Sequence, residues 1–473
     1  MVDAEEQQRQ LAELVAVYPA ADDLARIFAD AGHELYLVGG TVRDTLREGA
    51  STGDLDLATS ARPEQTEQLL RGRVDRIWLT GARFGTVSAA KGDQTFEITT
   101  FRSDRYQRGS RHPEVSFGDD IETDLSRRDF TCNAMAVDLI ERRFIDPFGG
   151  LADLRRGLLR TPLAAETSFG DDPLRMVRLA RFAAVLDADV DEEARKAATA
   201  MAAELATISR ERIRDELNKL IVGRAVARGL DLLCETGLAD EFLPELPALR
   251  MQRDPAHHHK DVYRHTLAVV SRCPPDDLIL RLAGLLHDIG KPATRRFAPG
   301  GKVTFHHHEV VGARMARARL TALRYPKRMI DQISDLVLLH LRFHGYRDQG
   351  WTDSAVRRYV RDAGGAEQLR RLNQLARADV TTQNRRKARL LGEAMDDLEQ
   401  RIEALQHQEE LAAIRPPLDG HQIMAHLGIG PGPMVGRAYR HLLDARLERG
   451  PMSEEDGYAE LDAWARGQDL DDA

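Results

Sequence analysis

The chain has 473 residues, of which 42% are hydrophobic and 30% are charged, with a net charge of -9 at neutral pH. This length predicts about three or four domains, and no apolar run approaches the roughly 20 residues of a membrane helix. The polar start MVDAEEQQRQ is unlike a secretory signal. Three cysteines without a CxxC pair argue against a disulfide framework or a structural zinc site and fit a reducing cytoplasm. The negative charge predicts that a nucleic-acid partner would meet basic residues gathered on one face.

The first third of the chain alternates between helical and extended patterns, which predicts a mixed α/β domain ending near Gly157. Gly39 and Gly40 separate an apolar strand from a helix, and Gly92-Asp93 separates the two strands of a hairpin. The predicted elements are a helix over 20–32, a strand over Glu34–Val38, a helix over Thr41–Arg47, a strand over Asp54–Ala58, a helix over Pro63–Leu70, and strands over Thr86–Ala90 and Thr95–Phe101.

From Asp171 onward the pattern is helical almost throughout, with Pro- and Gly-rich breaks that predict turns. The breaks lie at Pro244–Pro255, Pro274–Pro275, Pro299–Gly301, Gly364–Gly365 and Pro416–Gly420. The polar segment Met395–Glu410 is expected to form a connecting helix. The sequence therefore predicts an α/β head followed by all-α domains.

The segment LVGGTVRD predicts a phosphate site. A strand that runs through Gly39 and Gly40 into a helix points backbone N–H groups at a phosphate chain, and glycine allows a close approach. Arg43, in the first helical turn, is within reach of the same phosphates. A Gly-Gly turn alone is weak evidence, so this interpretation depends on the acidic residues that follow.

Asp54 and Asp56 lie two residues apart on a predicted strand and so share one face. Two carboxylates there suit Mg²⁺, and such a pair can serve one ion at an attacking hydroxyl and one at the leaving pyrophosphate. The alternative is an exposed edge strand, or a turn with Thr52, but the upstream GGxxRD favours the metal site. Glu97, on the hairpin, is either a third carboxylate of this site or an exposed strand residue.

Four motifs, LVGGTVRD, DLDLAT, RRDFTCNA and DDPLRMVR, occur in the order typical of class II tRNA nucleotidyltransferases and bacterial poly(A) polymerases. The chain resembles that family over its whole length. The resemblance implies an α/β nucleotidyltransferase head of the polymerase-β-like type, an all-α neck, and helical body and tail domains that grip tRNA. It also implies that C, C and A are added to the 3′ end of tRNA from CTP and ATP, with Mg²⁺ and without a nucleic-acid template.

The same resemblance assigns site residues. Asp54 and Asp56 match the catalytic metal ligands, and Arg128 and Asp129 belong to the motif that holds ribose and triphosphate. The residues matching the family's nucleotide contacts are Gly39, Gly40, Arg43, Arg128, Asp129, Asn133, Asp172, Arg175, Arg178 and Arg181. Taken singly, Arg127 to Asp129 could be a salt bridge at a helix entry, and the later arginines a solvated helix face.

Asp172 and Arg175 suggest how bases are chosen. Cytosine and adenine both present an amino donor beside a ring-nitrogen acceptor, which a carboxylate and a guanidinium complement. The spacing of three residues predicts that both side chains lie on one face of the same helix. The alternative is an intrahelical Asp–Arg salt bridge that does not contact nucleotide. Ser209, in SRERIRDEL, is expected to cap a helix.

The later part of the chain contains a second set of motifs. VYRHTLAVV, LLHDIGKP and ARADVTT resemble those of the HD phosphohydrolase superfamily, a helical bundle. The ligands implied are His265, His287, Asp288 and Asp379, with His308 and His340 as possible additional ones. Imidazole with carboxylate suits Mn²⁺, Ni²⁺, Fe²⁺ or Zn²⁺, and such an ion activates water against a phosphoester. His257 to His259 fall outside the pattern and receive no ligand role.

Two further segments resemble parts of the family. TFRSDRYQRGSRHPEVSF is similar to the flexible loop used in switching from CTP to ATP, and the helix after GPG at Pro433 either contacts RNA phosphate or is an ordinary helix start. The expected domains are a head over residues 1–157, a base- and RNA-binding neck over 158–250, an HD phosphohydrolase domain over 251–390 and a tRNA-binding tail over 391–473. No obligate protein partner is indicated.

Three alternatives stay open. A bacterial poly(A) polymerase would differ in substrate, although LTGARFGTVSAA lacks the basic GRRF-type stretch typical of those enzymes. A partial enzyme would add only A or only CC. A non-catalytic RNA-binding protein built on an inactive transferase is disfavoured by the intact Asp54, Asp56 and Arg128.

Overall fold

A computed structural model describes residues 18–49, 54–102, 117–118, 120–251, 261–297, 303–343, 345–346, 350–380, 385–409 and 415–468. The chain divides into two compact units, Met1–Phe242 and Leu243–Ala473. In the described ranges, none of the helices combines the length and hydrophobicity needed to cross a bilayer.

The first unit contains a seven-stranded mixed sheet. Its strands are β1 Leu35–Val38, β2 Leu55–Thr59, β3 Arg76–Trp78, β4 Thr86–Lys91, β5 Gln94–Thr100, β6 Ala136–Asp138 and β7 Arg143–Ile145. They lie in the order β3-β4-β5-β2-β1-β6-β7. Only β2 and β5 pair in parallel among neighbouring strands of this sheet, with Asp56 opposite Glu97. The flanking helices are α1 Pro19–Asp30, α2 Gly39–Glu48, α3 Pro63–Leu70, α4 Ile121–Ser126 and α5 Gly150–Arg156.

The two faces of this sheet differ in what covers them. On one face, alternate strand residues such as Leu55 and Phe96 pack with Leu24 and Phe28 of α1 in a buried core. On the other face, α4 contributes Ile121 and Leu125 to a smaller core with β1, β6 and β7. The part of this second face formed by β2, β5, β4 and β3 carries polar and charged residues, and it is there that the first site lies.

The rest of the first unit is helical apart from the short strands β8 Leu158–Leu159 and β9 Asp189–Val190, which pair with each other. Its helices are α6 Ala165–Asp171, α7 Leu174–Leu186, α8 Glu192–Met201, α9 Arg210–Ile221, α10 Val226–Glu235 and α11 Leu238–Phe242. Helix α7 is the central one and packs against α9 and α10. A Cβ at Gly229 of α10 would lie 2.7 Å from the carbonyl oxygen of Ala180, so only glycine allows this approach.

The second unit is a helical assembly. Its helices are α12 Glu245–Ala248, α13 Val262–Arg272, α14 Leu278–Leu286, α15 Lys291–Thr294, α16 His308–Ala322, α17 Lys327–Leu339, α18 Asp353–Ala363, α19 Ala366–Asp379, α20 Arg385–Glu409, α21 Gly420–Leu427, α22 Pro433–Arg449 and α23 Glu454–Ala465. Two short strands, β10 Arg296–Phe297 and β11 Val303–Thr304, form a hairpin. The last three helices have their own small core around Leu442 and Leu461.

The predicted fold class, an α/β head followed by helical domains, is confirmed. Most element bounds agree to within two residues, and the expected helix start at Pro433 is observed. The helix expected from Thr41 begins two residues earlier, at Gly39. The largest difference is in the connecting helix expected over Met395–Glu410, which begins ten residues earlier, at Arg385. The division into four domains remains a prediction.

Candidate functional sites

The turn from β1 into α2 brings a helix N-terminus against charged side chains. Gly39 has a left-handed φ of +67°, and a Cβ there would lie 2.8 Å from Nη1 of Arg128 and 3.3 Å from Oδ2 of Asp56. A side chain at this position would displace both groups. Gly39 therefore allows the first turn of α2 to reach the same space as Asp56 and Arg128. In this conformation the Gly40 N–H is hydrogen-bonded to Asp56, and the Gly39 N–H donates to the carbonyl oxygen of Met135 at 3.4 Å.

Three carboxylates lie on the open face of the sheet. Asp56 is half-buried on β2, Asp54 immediately precedes that strand, and Glu97 lies opposite Asp56 on β5. Burial raises the pKa of Asp56 despite the nearby Arg128 guanidinium, and burial together with the charges of Asp56 and Asp54 raises the pKa of Glu97. Thr95 donates a hydrogen bond to Asp54. Such a concentration of carboxylate oxygens fits a hard divalent cation.

A network of guanidiniums faces these carboxylates. Arg43 donates to Oδ1 of Asn133 at 2.6 Å and pairs with its neighbour Asp44 at 2.7 Å. Arg128 pairs with Asp124 at 3.1 Å, which fixes its direction. Since Arg43 and Arg128 are held by other side chains, their positive charges are set in place before any anion arrives.

Asp129 is fully buried and its two oxygens are already engaged. The backbone N–H of Phe130 and the Asn133 amide each donate to Oδ1 at 2.9 Å, and Nε of Arg178 donates to Oδ2 at 2.8 Å. Burial opposes its ionisation, but the Arg178 guanidinium and the Asn133 hydrogen bond outweigh this and lower the pKa of Asp129 to about 2. Asp129 thus orients Arg178 and Asn133 in this conformation.

Helix α7 supplies the opposite wall through Arg175, Arg178 and Arg181. The Arg181 guanidinium lies 3.9 Å from the ring centroid of Phe182. Glu216, buried on α9, lies 3.1 Å from Arg181 and 3.5 Å from Arg178. Burial and the adjacent Arg178 lower the pKa of Arg181 to about 10. One buried carboxylate and one aromatic ring therefore hold two neighbouring arginines together despite their repulsion.

Sequence reasoning missed Glu216 and Phe182, although a signal for Glu216 was present. Ile213, Leu217 and Leu220 form the buried stripe of α9, and Glu216 falls within that stripe. A charged residue at a buried helical position requires a partner of opposite charge. The expected cap at Ser209 is observed, since its hydroxyl accepts from the N–H of Arg212.

Asp172 is not on the same helix as Arg175, contrary to the sequence prediction. It lies in extended conformation between α6 and α7, because Pro173 disfavours helical conformation at the residue before it. Its Oδ1 accepts from the N–H of Leu174 at 3.2 Å and its Oδ2 from Arg212 at 2.7 Å. Arg175 instead donates to Oγ of Ser168 at 2.9 Å. The two side chains have separate partners rather than forming an intrahelical salt bridge.

These residues line one cleft of about 830 Å³ in the first unit. Its wall includes all ten residues that the sequence suggested for nucleotide binding, together with Asp56 and Glu97. Asp54 lies one step along the same face as Asp56. The structure therefore brings together residues that are up to about 140 positions apart in the chain.

A second cluster lies in the helical unit, where five helices end or begin. His265 is in α13, His287 and Asp288 follow α14, His308 begins α16, His340 follows α17 and Asp379 ends α19. The first five of these residues are buried, with side chains at most 8% exposed. All six residues predicted from the sequence are thus brought together.

Backbone carbonyls orient three of the four imidazoles. Nδ1 of His287 lies 2.7 Å from the carbonyl oxygen of Gly284, and Nδ1 of His308 and His340 contact carbonyls in the same way at 2.8 and 2.7 Å. A proton on Nδ1 leaves Nε2 with a lone pair directed into the cluster. This is the tautomer in which histidine binds a metal ion.

Asp288 lies between two groups of histidines. Its Oδ2 is 3.2 Å from Nε2 of His287 and 3.5 Å from Nε2 of His265, and its Oδ1 is 3.3 Å from Nε2 of His308. Asp379 contacts His265 at 2.8 Å. Among the described residues, Nε2 of His340 is buried without a hydrogen-bond partner, and Nε2 of His308 faces Asp288 without the geometry of a hydrogen bond. Buried orphan nitrogens around a carboxylate have the chemistry of metal ligands.

Gly290 sets the spacing of this cluster. A Cβ at Gly290 would clash with the carbonyl oxygen of His308 and would lie 2.7 Å from the N–H nitrogen of Gly312. The chain just after Asp288 therefore packs backbone against backbone with α16, which brings His308 next to Asp288. The expected flexible segment falls mostly on residues 103–116, and His257 to His259 are also outside the described residues.

A nucleotidyltransferase-type head and an HD-type helical body define the class of this protein. Residues 35–160 match the poly(A) polymerase head domain, residues 188–249 the probable RNA and SrmB-binding site of polymerase A, and residues 253–384 the HD domain. The A-adding tRNA nucleotidyltransferase of Deinococcus radiodurans is 34% identical over 443 residues, which cover 91% of this chain and 95% of that protein.

Two further comparisons agree with this class. The CCA-adding enzyme of Geobacillus kaustophilus is 43% identical over 219 residues, covering 46% of this chain and 52% of that protein. The crystal structure of Bacillus stearothermophilus CCA-adding enzyme in complex with CTP has 27% identity and a TM-score of 0.70, covering 95% of this chain and 98% of that chain. The chain belongs to the family of tRNA nucleotidyltransferases and poly(A) polymerases. Both its transferase head and its HD domain imply dependence on divalent metal ions.

Proposed function

We propose that the protein adds C and A from CTP and ATP to the 3′ end of tRNA, without a nucleic-acid template. The observation that carries this proposal is the single cleft in which the carboxylates of β2 and β5 face the guanidiniums of α2 and α7. Carboxylates that hold divalent ions, opposite cations that hold phosphate, are what the transfer of a nucleotide from a triphosphate requires.

The triphosphate is expected to bind at the N-terminus of α2. Gly39 and Gly40 line the cleft beside Arg43 and Arg128, and neither glycine has a Cβ that would keep a phosphate away from the backbone. These groups neutralise the phosphate charge, so that the 3′-hydroxyl of tRNA can form its bond to the α-phosphorus while pyrophosphate leaves. Arg178, oriented by Asp129, adds a further cation on the opposite wall.

Asp54 and Asp56 would hold Mg²⁺, and Glu97 lies close enough on the sheet to contribute a third carboxylate. When bound, Mg²⁺ would neutralise phosphate charge and favour the ionised 3′-hydroxyl. Burial is the main cause of the raised pKa values of Asp56 and Glu97, and repulsion among the carboxylates adds to it. A bound cation would relieve that repulsion.

Base choice is assigned to Asp172 and Arg175. A carboxylate accepts from the amino group of cytosine or adenine and a guanidinium donates to the ring nitrogen, whereas uracil and guanine present the reverse pattern. Both side chains line the cleft but come from different elements. Asp172 is paired with Arg212 at 2.7 Å, so base binding involves an exchange of this partner.

A second candidate is partial addition, of A alone or of CC alone. Relatives of both kinds match over nearly the whole chain: the A-adding enzyme described above, and the CC-adding tRNA nucleotidyltransferase of Thermus thermophilus, which is 32% identical over 92% of this chain. The CCA-adding relative from Geobacillus aligns with about half of the chain. The cleft described above serves either activity, since both use the same chemistry on different tRNA ends.

The test offers three tRNA transcripts, lacking CCA, lacking CA and lacking only A, with labelled CTP and ATP. A CCA-adding enzyme completes all three, and an A-adding enzyme extends only the transcript that ends in CC. A CC-adding enzyme extends the other two and stops at CC, and a poly(A) polymerase produces long tails. Absence of incorporation into every transcript would contradict the proposal.

We also propose that the histidine cluster binds a divalent transition metal such as Mn²⁺, Ni²⁺, Fe²⁺ or Zn²⁺ and hydrolyses a phosphoester. His265, His287, Asp288 and Asp379 would form one ligand group, and His308 and His340 would complete a second around the shared Asp288. A bound ion would supply a water of lowered pKa. Metal analysis of the purified protein and hydrolysis of a 2′,3′-cyclic nucleotide with each metal test this proposal.

A further inference from the structure

The open face of the sheet continues past the carboxylates to the edge strand β3. Trp78, Ser88 and Glu97 are successive partners across β3, β4 and β5, and Glu97 is in turn the partner of Asp56. Paired residues of neighbouring strands point to the same face. Trp78 therefore shares one row and one face with Asp56, three strands and about 14 Å away.

Between these ends the face is formed by small side chains. On β4 it presents Thr86, Ser88 and Ala90, all partly exposed, whereas the intervening Val87 and Ala89 are buried on the opposite face. Thr86, Ser88 and Ala90 thus form a flat and mostly polar surface, here called the floor, along which an extended polymer chain can lie. The alternation also explains why Trp78 is exposed: its neighbour Ile77 packs on the core side.

The far end of this floor is aromatic and basic. Trp78 is 41% exposed, Leu79 44% and Phe84 43%, within seven residues of one another. Arg76, two residues before Trp78 on the same face of β3, is exposed. The Arg83 guanidinium lies 4.5 Å from the ring centroid of Phe84. Exposed aromatic rings beside arginines are typical of surfaces on which bases of single-stranded nucleic acid stack.

We propose that Trp78 and Arg76 form a stacking platform for the single-stranded 3′ end of the RNA acceptor, a few nucleotides upstream of the reacting 3′-hydroxyl. The inference rests on the proposed transferase function, because that hydroxyl must reach the carboxylates at the other end of the same row. Trp78 stacks on a base, and Arg76 contacts a backbone phosphate. Stacking tolerates any base, which suits tRNAs that differ in the nucleotide before CCA.

The polar floor favours RNA over a protein partner. A protein interface requires a contiguous apolar core, whereas on the described part of this face the large apolar residues lie at the edge, and Thr86, Ser88 and Ala90 lie between them and Glu97. This face is continuous with the transfer site, where the proposed reaction fixes the 3′ end of the RNA, so the nucleotides upstream of that end lie along the face.

The first test compares Trp78→Ala with wild type in nucleotide incorporation. We expect the KM for tRNA to rise about five- to hundredfold, the range that base stacking covers, with the KM for CTP and ATP unchanged and partial rescue by Trp78→Phe. Arg76→Ala should lower the slope of log affinity against log salt by about 0.7. Ile140→Ala, a 47% exposed apolar residue of the same unit, is the matched control.

A binding assay makes the test independent of turnover. The chain has three tryptophans, so Trp351→Phe combined with Trp464→Phe leaves Trp78 as the single tryptophan, which is excited selectively at wavelengths that tyrosine does not absorb. A tRNA transcript that lacks only the terminal A should quench this fluorescence, because its unpaired nucleotide before CC lies upstream of the 3′-hydroxyl, and a transcript truncated to the end of its acceptor stem should not. Unchanged fluorescence on RNA binding, or an unchanged KM for tRNA in an active Trp78→Ala variant, would overturn the inference. Loss of incorporation in wild type would instead overturn the proposed function.

Discussion

In the transfer cleft, charged side chains are positioned by one another, whereas in the histidine cluster backbone carbonyls position three of the four imidazoles and Asp379 contacts the fourth, His265. Arg178 is directed by Asp129, and Arg181 by Glu216. His287 and His340 are each directed by a carbonyl oxygen one helical turn away. In a network of side chains, substitution of one residue also changes the positions of its neighbours. Where the backbone holds each ligand, a substitution affects mainly that ligand. The four predictions below test this difference, from the largest expected effect to the smallest.

Asp56→Ala or Asp54→Ala should abolish nucleotide addition, by about a thousandfold or more, because loss of a carboxylate ligand removes several kcal/mol of charge stabilisation. Hydrolysis at the histidine cluster should be unaffected. Incorporation of CTP and ATP in Mg²⁺ measures the effect, with Asp93→Ala, an exposed acid of the β4–β5 turn, as control. Near-normal incorporation in either variant would show that the metal assignment is wrong.

His287→Ala or Asp288→Ala should remove bound transition metal and phosphohydrolase activity and spare nucleotide addition, since the ligands differ between the two sites. Metal content and hydrolysis of a 2′,3′-cyclic nucleotide are the measurements. His306→Ala, an exposed histidine near His308, is the control. Equal hydrolysis in wild type and both variants would contradict HD catalysis.

Asp172→Ala and Arg175→Ala should each weaken discrimination against UTP and GTP by about tenfold to a hundredfold, since a mispaired buried polar group costs about 1–3 kcal/mol. Incorporation of all four nucleotides measures this effect. Asp171→Ala, the neighbouring acid, is the matched control. Wild-type discrimination in both variants would show that Asp172 does not select the base. Its role would then be limited to its hydrogen bond with the N–H of Leu174 and its ion pair with Arg212.

Asp129→Asn should destabilise the first unit by about 2 kcal/mol at neutral pH, the equivalent of lowering a carboxyl pKa from 3.8 to about 2. A depressed folded-state pKa stabilises above the unfolded-state value of about 4, and that stability is lost as pH falls toward 2. Urea unfolding of both proteins between pH 7 and pH 2.5 should therefore converge. If the difference in free energy of unfolding between the two proteins does not narrow in acid, the ionised carboxylate of Asp129 is not the source of that difference.

Much of the fold and both sites could be predicted because their signals are local. Strand alternation around Asp56 and the turn at Gly39-Gly40 indicate which face carries charge, and motif order indicates which histidines belong together. The helix containing Asp172 was predicted wrongly, since Pro173 interrupts the spacing of three residues. Glu216 and Phe182 were missed because their partners come from distant elements. Glu97 was left open until the parallel pairing of β2 with β5 placed it opposite Asp56.

The backbone contact at Gly290 has a consequence for the whole helical unit. The ligands of the histidine cluster span residues 265–379, so the cluster exists only when their helices are docked together. An ion that binds this assembly and not the unfolded chain would stabilise it by mass action, by about 2.7 kcal/mol at a concentration one hundred times its dissociation constant. The cellular supply of that metal would then determine the thermal stability of the helical unit, whereas the thermal stability of the first unit would not depend on it.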